Sequence, residues 1–194
     1  MRVFAYRGDW FDDRLGLVEG DRVIPIPFWF GDLSFNVEDL EPMRASAAPL
    51  AGAVGLPVHD LEPGLPLVQP GKVICVGLNY REHVAEGGRE PRSRPVLFSK
   101  FSNAVIASGE PIIRPDGTHA LDLEVELGVV IGKTPRRVSV DEAMDHVAGY
   151  VVVNDVSARD WQGVPAALHE GEKGDGQWLR AKGSDTFLPM VPSS

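Results

Sequence analysis

Three acidic side chains with strand-like spacing are the first candidates for chemistry in this chain. In Leu121-Asp122-Leu123-Glu124-Val125-Glu126-Leu127-Gly128-Val129-Val130-Ile131-Gly132, acids and apolar residues alternate. Successive side chains of a strand point to opposite faces. Leu121, Leu123, Val125 and Leu127 then line one face, and Asp122, Glu124 and Glu126 the other. Like charges on one strand face repel, and are ordinarily a solubility device or a cost. Carboxylates at i and i+2 are also close enough for one cation to bridge. A hard cation such as Mg2+ takes oxygen ligands and needs only a few carboxylates from the protein. Asp155 supplies a further acid where a Val-rich stretch ends, and strand ends suit chemistry because a rigid element sets position while the loop gives access. Spacing alone leaves two readings, a solvated acidic face and a cation site. Gly128–Ile131 drops the polar face, as a strand entering buried territory would, and Asn154-Asp155-Val156-Ser157-Ala158-Arg159-Asp160-Trp161-Gln162 forms a second dense polar cluster. Both features favour the cation site.

Other groups could act beside such a site. His83 and Glu86 are three apart and share a helix face. A carboxylate beside an imidazole raises its pKa and orients it, which prepares a general base; the alternative is an ordinary surface pair. Arg159 and Gln162 have the same spacing. The planar guanidinium suits a carboxylate ligand, unless it is taken up by Asp160. Lys182 lies among small residues in Arg180-Ala181-Lys182-Gly183-Ser184, where it either approaches a ligand or sits solvated in a loop. His59, His119, His146 and His169 show no partner pattern of this kind.

The elements that must position these residues read as follows. In residues 1–70, Arg2–Tyr6, Arg14–Val18 and Arg22–Ile26 are strand-like, with a turn at Glu19-Gly20-Asp21. Val37–Ala53 has a helical apolar pattern, and Pro57, Pro63, Pro66 and Pro70 space out an irregular linker. From residue 71 the texture changes. Lys72–Gly77, Pro95–Lys100, Leu121–Gly132 and Ala148–Asn154 are strands, and Asn79–Glu86 is a short helix closed by Gly87-Gly88. Ser139 with Glu142 forms a capping box that predicts a helix over Val140–Val147. The whole reads as a mostly β, α+β fold: a small N-terminal α+β domain with linker over 1–70, then a β-rich domain over 71–194.

Bulk properties narrow the partners. A net charge of −9 over 194 residues repels phosphate backbones and anionic lipid, which argues against nucleic acid and membrane surfaces. Cys75 is the single cysteine, so an intramolecular disulfide is excluded; within Val73–Val76 it reads as a buried strand residue. No signal core precedes Trp10 and no apolar run approaches the roughly 20 residues of a membrane span. The expected location is the cytoplasm.

Four ordered motifs then carry a resemblance. They are Gly77-Leu78-Asn79-Tyr80 with His83 and Glu86; Glu124-Val125-Glu126 followed by Val129-Val130-Ile131-Gly132; Asn154-Asp155-Val156-Ser157-Ala158-Arg159-Asp160; and Lys182-Gly183-Ser184-Asp185-Thr186-Phe187. In order and spacing they resemble the fumarylacetoacetate hydrolase family, with weaker likeness over 1–70. The resemblance implies a β-rich roll, usually dimeric. It implies a Mg2+ or Mn2+ site at Glu124, Glu126 and Asp155, and His83 and Glu86 as a catalytic pair on a segment that orders over substrate. It implies that Arg159, Gln162 and Lys182 face the substrate, with Lys182 among the catalytic groups. Substrates would be small 2-oxo or 2-hydroxy-dienoic acids, often from aromatic-ring degradation.

Chelated on a metal acting as a Lewis acid, a 2,4-dioxo acid such as an acylpyruvate could be cleaved at a C–C bond by water activated at His83, releasing a metal-stabilised enolate. Without delivered water, the enolate could be reprotonated elsewhere, giving an isomerase or decarboxylase of a hydroxymuconate-type diacid. One departure stands out. The family continues past Lys-Gly-Ser-Asp-Thr-Phe with a Gly-Pro pair, more strands and a Thr-Gly-Thr-Pro loop, whereas this chain reads Leu188-Pro189-Met190-Val191-Pro192-Ser193-Ser194. The expectation is a roll lacking its C-terminal part, with open strand edges and exposed apolar surface. A third reading follows, an inactive fragment that only binds metal or dimerises.

Overall fold

The computed structural model describes residues 2–8, 13–26, 52–65, 70–86 and 93–191. The chain is mostly β with short helices, the α+β class expected. Four strands form an antiparallel N-terminal sheet in the order β1-β2-β3-β4: β1 (Val3–Arg7), β2 (Asp13–Glu19), β3 (Arg22–Pro25) and β4 (Leu56–Pro57). Gly20 turns β2 into β3 at φ +62°, a left-handed conformation that glycine adopts without steric cost. Phe4, Tyr6 and Val23 are its buried centre, with Val18, Val58 and Leu61 packed on them.

The proline-spaced segment is more ordered than its composition predicted. Leu56–Pro57 adds an edge strand to β3, Val58–Asp60 makes a 3-10 turn, and Pro63 bridges to Tyr6. A proline fits an edge strand, where no ladder donor is required of it. Arg22 holds the approach through Nε to the Gly55 carbonyl at 2.9 Å. Most of the helical pattern over Val37–Ala53 lies outside the described residues.

The remaining elements build the larger part. β5 (Val73–Gly77) and β6 (Val96–Lys100) form an antiparallel pair, with Val73 opposite Lys100. Between them runs helix α1 (Arg81–Glu86). β7 (Val105–Ala107), β12 (Leu188–Val191), β10 (Val147–Asn154) and β9 (Val125–Ile131) make a sheet in that order. β12 runs parallel to β7 and antiparallel to β10. A short ladder joins β8 (Leu121–Asp122) to β11 (Ser157–Ala158). Helices α2 (Arg159–Gln162) and α3 (Trp178–Lys182) pack beside it. The core gathers Ala104, Val151, Val153, Val156, Ala158, Ala181, Phe187, Leu188 and Met190. Among the described residues no helix is long and apolar enough to cross a membrane.

Three sequence expectations are corrected. The strand predicted over Leu121–Gly132 breaks at Leu123–Glu124, and its two parts pair with different partners, β11 and β10. The apolar face of β9 is the outer one: Leu127, Val129 and Ile131 are 50% or more exposed, so the strand does not run into buried territory on that side. The capping box forms, with Ser139 Oγ donating to Glu142 Oε2 at 2.8 Å, yet only a 3-10 turn follows over Ala143–His146. That segment buries no residue, and Val140 and Met144 are exposed. A cap satisfies end donors, but a short helix also needs an apolar face to pack.

Candidate active site

The acids meet where β9 and β10 pair. Antiparallel register sets Glu126 opposite Val153 and Val125 opposite Asn154. At the break before β9 the backbone turns inward: the Asp155 amide donates to the Glu124 carbonyl at 2.8 Å, and the Glu124 amide to Asn154 Oδ1 at 3.0 Å. Two strand ends are thereby locked together, and their acids converge.

Lys182 lies between two of them. It ends α3 and is 2% exposed, so the solvated-loop alternative is excluded. Its ammonium donates to Glu124 Oε1 at 2.6 Å and to Asp155 Oδ2 at 2.7 Å, with the Phe98 ring centroid 4.8 Å away. Ser157 Oγ adds a hydrogen bond to Glu124 Oε1 at 2.5 Å. Burial pushes the Glu124 carboxyl up, but the Lys182 and Ser157 hydrogen bonds and the Lys182 and Arg159 charges outweigh it and hold the group at about 2.

Arg159 opens α2, and Gly163 closes that helix in the left-handed conformation. The guanidinium reaches Asp122 Oδ2 from Nε at 2.9 Å and from Nη2 at 2.8 Å, Glu124 Oε2 at 2.8 Å, and Gln162 Oε1 from Nη1 at 2.7 Å. Its sequence neighbour Asp160 takes no part. That carboxylate accepts from Thr118 Oγ1 at 2.6 Å and from the His119 amide at 3.1 Å.

Lys100 was not singled out from sequence, because a lysine ending an apolar strand looks like solvent anchoring. It is 2% exposed. Its Nζ donates to the carbonyls of Val156 at 2.9 Å, Lys182 at 2.6 Å and Phe187 at 2.9 Å, and lies 2.8 Å from Asp155 Oδ1. An ammonium has three protons, and three carbonyls claim them. Asp155 Oδ1 is therefore buried beside a positive charge without a hydrogen bond of its own. Desolvation lowers the Lys100 pKa, and the charge and contact of Asp155 oppose it.

Glu126 is the acid left over. It makes no hydrogen bond or ion pair with any described residue, and burial, then Asp155 and Glu124, raise its pKa. The four carboxylates of Asp122, Glu124, Glu126 and Asp155 face three cations, Lys100, Lys182 and Arg159. One negative charge remains uncompensated. An unpaired carboxylate and an all-oxygen donor set fit a hard divalent cation. Glu124, Glu126 and Asp155 are nevertheless spread wider than 4.8 Å as a three-ligand group, with the Lys182 ammonium lodged between Glu124 and Asp155. Cys75 faces the same charges; burial and Asp155 push its thiol up to about 12, so it stays protonated and inert.

His83 and Glu86 both fall on α1, whose backbone is helical as predicted; their side chains lie outside the described set. Tyr80, just before α1, accepts a hydrogen bond at its hydroxyl from the Leu127 amide at 3.1 Å, which ties the start of this segment to the acidic strand.

Comparison with known proteins gives a consistent picture. The family described as "Fumarylacetoacetate (FAA) hydrolase C-terminal" matches residues 72–193. A fumarylacetoacetate hydrolase domain-containing protein 2 homolog of Dictyostelium discoideum is 45% identical over 138 residues, covering 71% of this chain and 42% of that protein. The mitochondrial oxaloacetate tautomerase FAHD2A of Bos taurus is 40% identical over 162 residues, covering 81% and 49%. The crystal structure of 2-hydroxyhepta-2,4-diene-1,7-dioate isomerase from Mycobacterium marinum superposes with a TM-score of 0.69 at 29% identity, over 100% of this chain and 65% of that one. The chain thus spans about half the length of these curated relatives.

Proposed function

The chain belongs to the fumarylacetoacetate hydrolase family, and we propose that it binds a small 2-oxo-carboxylate in the acidic cleft and moves a proton between the enol and keto forms of that substrate. The observation behind this reading is the Glu124–Lys182–Asp155 array, a buried ammonium held between two carboxylates with Arg159 beside them. Relatives that bear isomerase and tautomerase names support the same class of reaction.

Glu124, Glu126 and Asp155 would hold a divalent cation, Mg2+ or Mn2+. When bound, that ion supplies Lewis acidity to substrate oxygens. The chain's own groups do the rest. Arg159 engages Asp122, Glu124 and Gln162 and keeps one Nη1 proton for a ligand. Asp122 is half exposed, so its share of the guanidinium is the one a substrate carboxylate would displace. Gln162 fixes the plane of that fork. Lys182 sets fixed positive charge where an enolate oxygen develops, and such charge costs no reorganisation at the moment of reaction. His83 and Glu86 share a face of α1 and would move the proton.

A second reading is C–C hydrolysis of a 2,4-dioxo acid, with His83 activating water. The His83–Glu86 spacing favours it, since that pairing prepares a base for water as readily as for carbon. The test follows the ultraviolet absorbance of enol-form oxaloacetate and of a 2-hydroxy-dienoic diacid, and the cleavage of an acylpyruvate, each with Mg2+ or Mn2+. Enol loss faster than in buffer, abolished by Asp155→Asn, supports proton transfer. Cleavage without enol turnover moves the assignment to the hydrolase. Turnover of neither refutes both.

The active form is a homodimer in this proposal. The face carrying Leu127, Val129, Ile131, Tyr150 and Val152 is exposed and apolar, and such a face calls for a cover.

A further inference from the structure

Asp160 follows Arg159 in the chain but serves other partners. Besides Thr118 and the His119 amide, its Oδ2 lies 3.2 Å from His119 Nδ1. The Asp160 side chain is 1% exposed, so this is a fixed, buried carboxylate that orients an imidazole at the surface. The other nitrogen, His119 Nε2, stands 3.6 Å from Glu172 Oε2 and 3.0 Å from the Ala167 carbonyl. The His169 ring stacks on the His119 ring at 4.0 Å between centroids, with planes 18° apart. A tight turn brings the last two groups together: the Glu172 amide donates to the His169 carbonyl at 3.0 Å, the His169 amide to Glu172 Oε2 at 2.8 Å, and Gly171 takes φ +79°. One ligand atom from each of His119, His169 and Glu172 falls within 4.8 Å of the others. Among the described residues this is the three-ligand group that closes to that distance.

We propose that His119, His169 and Glu172 form a second cation site, distinct from the acidic cleft, that takes a borderline transition metal such as Zn2+ and clamps the loop between α2 and α3 onto the segment leading into β8. The donor set sorts the two sites by hardness. Two imidazole nitrogens and one carboxylate suit Zn2+, whereas the all-oxygen cleft suits Mg2+. Ligand atoms about 2.1 Å from a tetrahedral ion stand about 3.4 Å apart, close to the 3.6 Å between His119 Nε2 and Glu172 Oε2. His169 must swing out of its stack on His119 for its in-plane nitrogen lone pair to reach the same ion, and its exposure leaves room for that. Asp160 supplies the outer carboxylate that metal-bound imidazoles ordinarily have, fixing the orientation of the ring. Without metal, both His119 nitrogens face oxygen acceptors. Binding therefore replaces the Nε2 contact with the Ala167 carbonyl.

The clamp has a consequence for the catalytic part. The loop 163–177 joins the helix that carries Arg159 and Gln162 to the helix that ends in Lys182. Tying it at 169 and 172 to His119 restrains both helices from one side. The site stands on its own geometry and does not depend on the cleft holding a metal.

The experiment titrates the full chain with Zn2+ in saturating Mg2+, and compares the parent with His169→Ala, Glu172→Gln and, for the cleft, Glu126→Gln. Tryptic cleavage at the exposed Lys173 reports on the clamp. Expected are one zinc equivalent in the parent and in Glu126→Gln, its loss in His169→Ala, and at least tenfold weaker binding in Glu172→Gln. Cleavage at Lys173 slows with zinc in the parent and in Glu126→Gln, and not in His169→Ala. Metal-free melts matching the parent show that the loop variants fold. The site is overturned if the parent takes up no zinc beyond Mg2+, if His169→Ala binds it as the parent does, or if Mg2+ competes it away. The clamp is overturned if zinc binds without protecting Lys173.

Discussion

Lys100 and Lys182 are both buried ammonium groups beside Asp155, yet they do different work. Lys100 stitches three carbonyls, from the ends of β11, α3 and β12. Lys182 touches only side chains of the cleft. Removing one partner of a buried ion pair strands the other and costs about 3–5 kcal/mol. Lys100→Met should reach that range in chemical denaturation, because three carbonyls also lose their donor. Lys182→Met should cost less stability than Lys100→Met while abolishing turnover. The acids predict pH dependence with opposite signs. The folded-state pKa of Glu124 is depressed from 4.5 to about 2, so its contribution is full above pH 4.5 and is lost as pH falls toward 2. The folded-state pKa of Glu126 is raised, so Glu126 opposes folding increasingly as pH rises through the carboxylate range. Glu126→Gln should therefore stabilise the metal-free chain at pH 7, with a gain that shrinks as pH falls through the carboxylate range. It should also remove the rise in Tm expected of the parent in Mg2+ or Mn2+; a melt with and without metal reads both.

At the scale of elements, the cleft depends on how closely β9 lies against β10. Gly128 makes that approach possible: a Cβ there would stand 2.8 Å from Val151 Cγ1 and 3.2 Å from the Val151 carbonyl oxygen. Gly128→Ala should cost about 1–3 kcal/mol and weaken metal binding, since Glu126 is two residues away on the same strand. Unchanged stability with unchanged metal affinity would show that the pair tolerates separation. The break at Leu123–Glu124 matters as much. An unbroken strand would keep Glu124 in the β9 ladder, whereas the break frees its side chain to meet Lys182, Ser157 and Arg159 together.

For the whole molecule, the outer face of β9 and β10 is the feature to test. Leu127, Val129, Tyr150 and Val152 are exposed, and β9 is an edge of its sheet. Val129→Glu with Tyr150→Lys, an opposite-charge cross-strand pair, should shift sedimentation from dimer to monomer without altering the melt by more than about 0.5 kcal/mol. A parent that sediments as a monomer at micromolar concentration would refute the dimer. The N-terminal sheet connects to the rest through Arg7, which pairs with Glu110, and Glu110 Oε2 in turn accepts from the Ala107 amide at 2.9 Å.

Much of this was legible in the sequence. Short-range signals were sufficient for the strands at Val73–Gly77, Val96–Lys100 and Val147–Asn154 and for helix α1, because period-two and helical patterns are written in neighbouring residues. The motif residues Glu124, Asp155, Arg159 and Lys182 do converge. Tertiary structure alone decided the rest. It gave Lys100 its three carbonyl acceptors, turned the apolar face of β9 outward, left the Ser139 capping box without a helix, and stacked His119 on His169. Each of these outcomes rests on partners tens of residues away or on what covers a face, and local spacing contains neither. Alternation shows that a strand has two faces; only the packing says which one meets water.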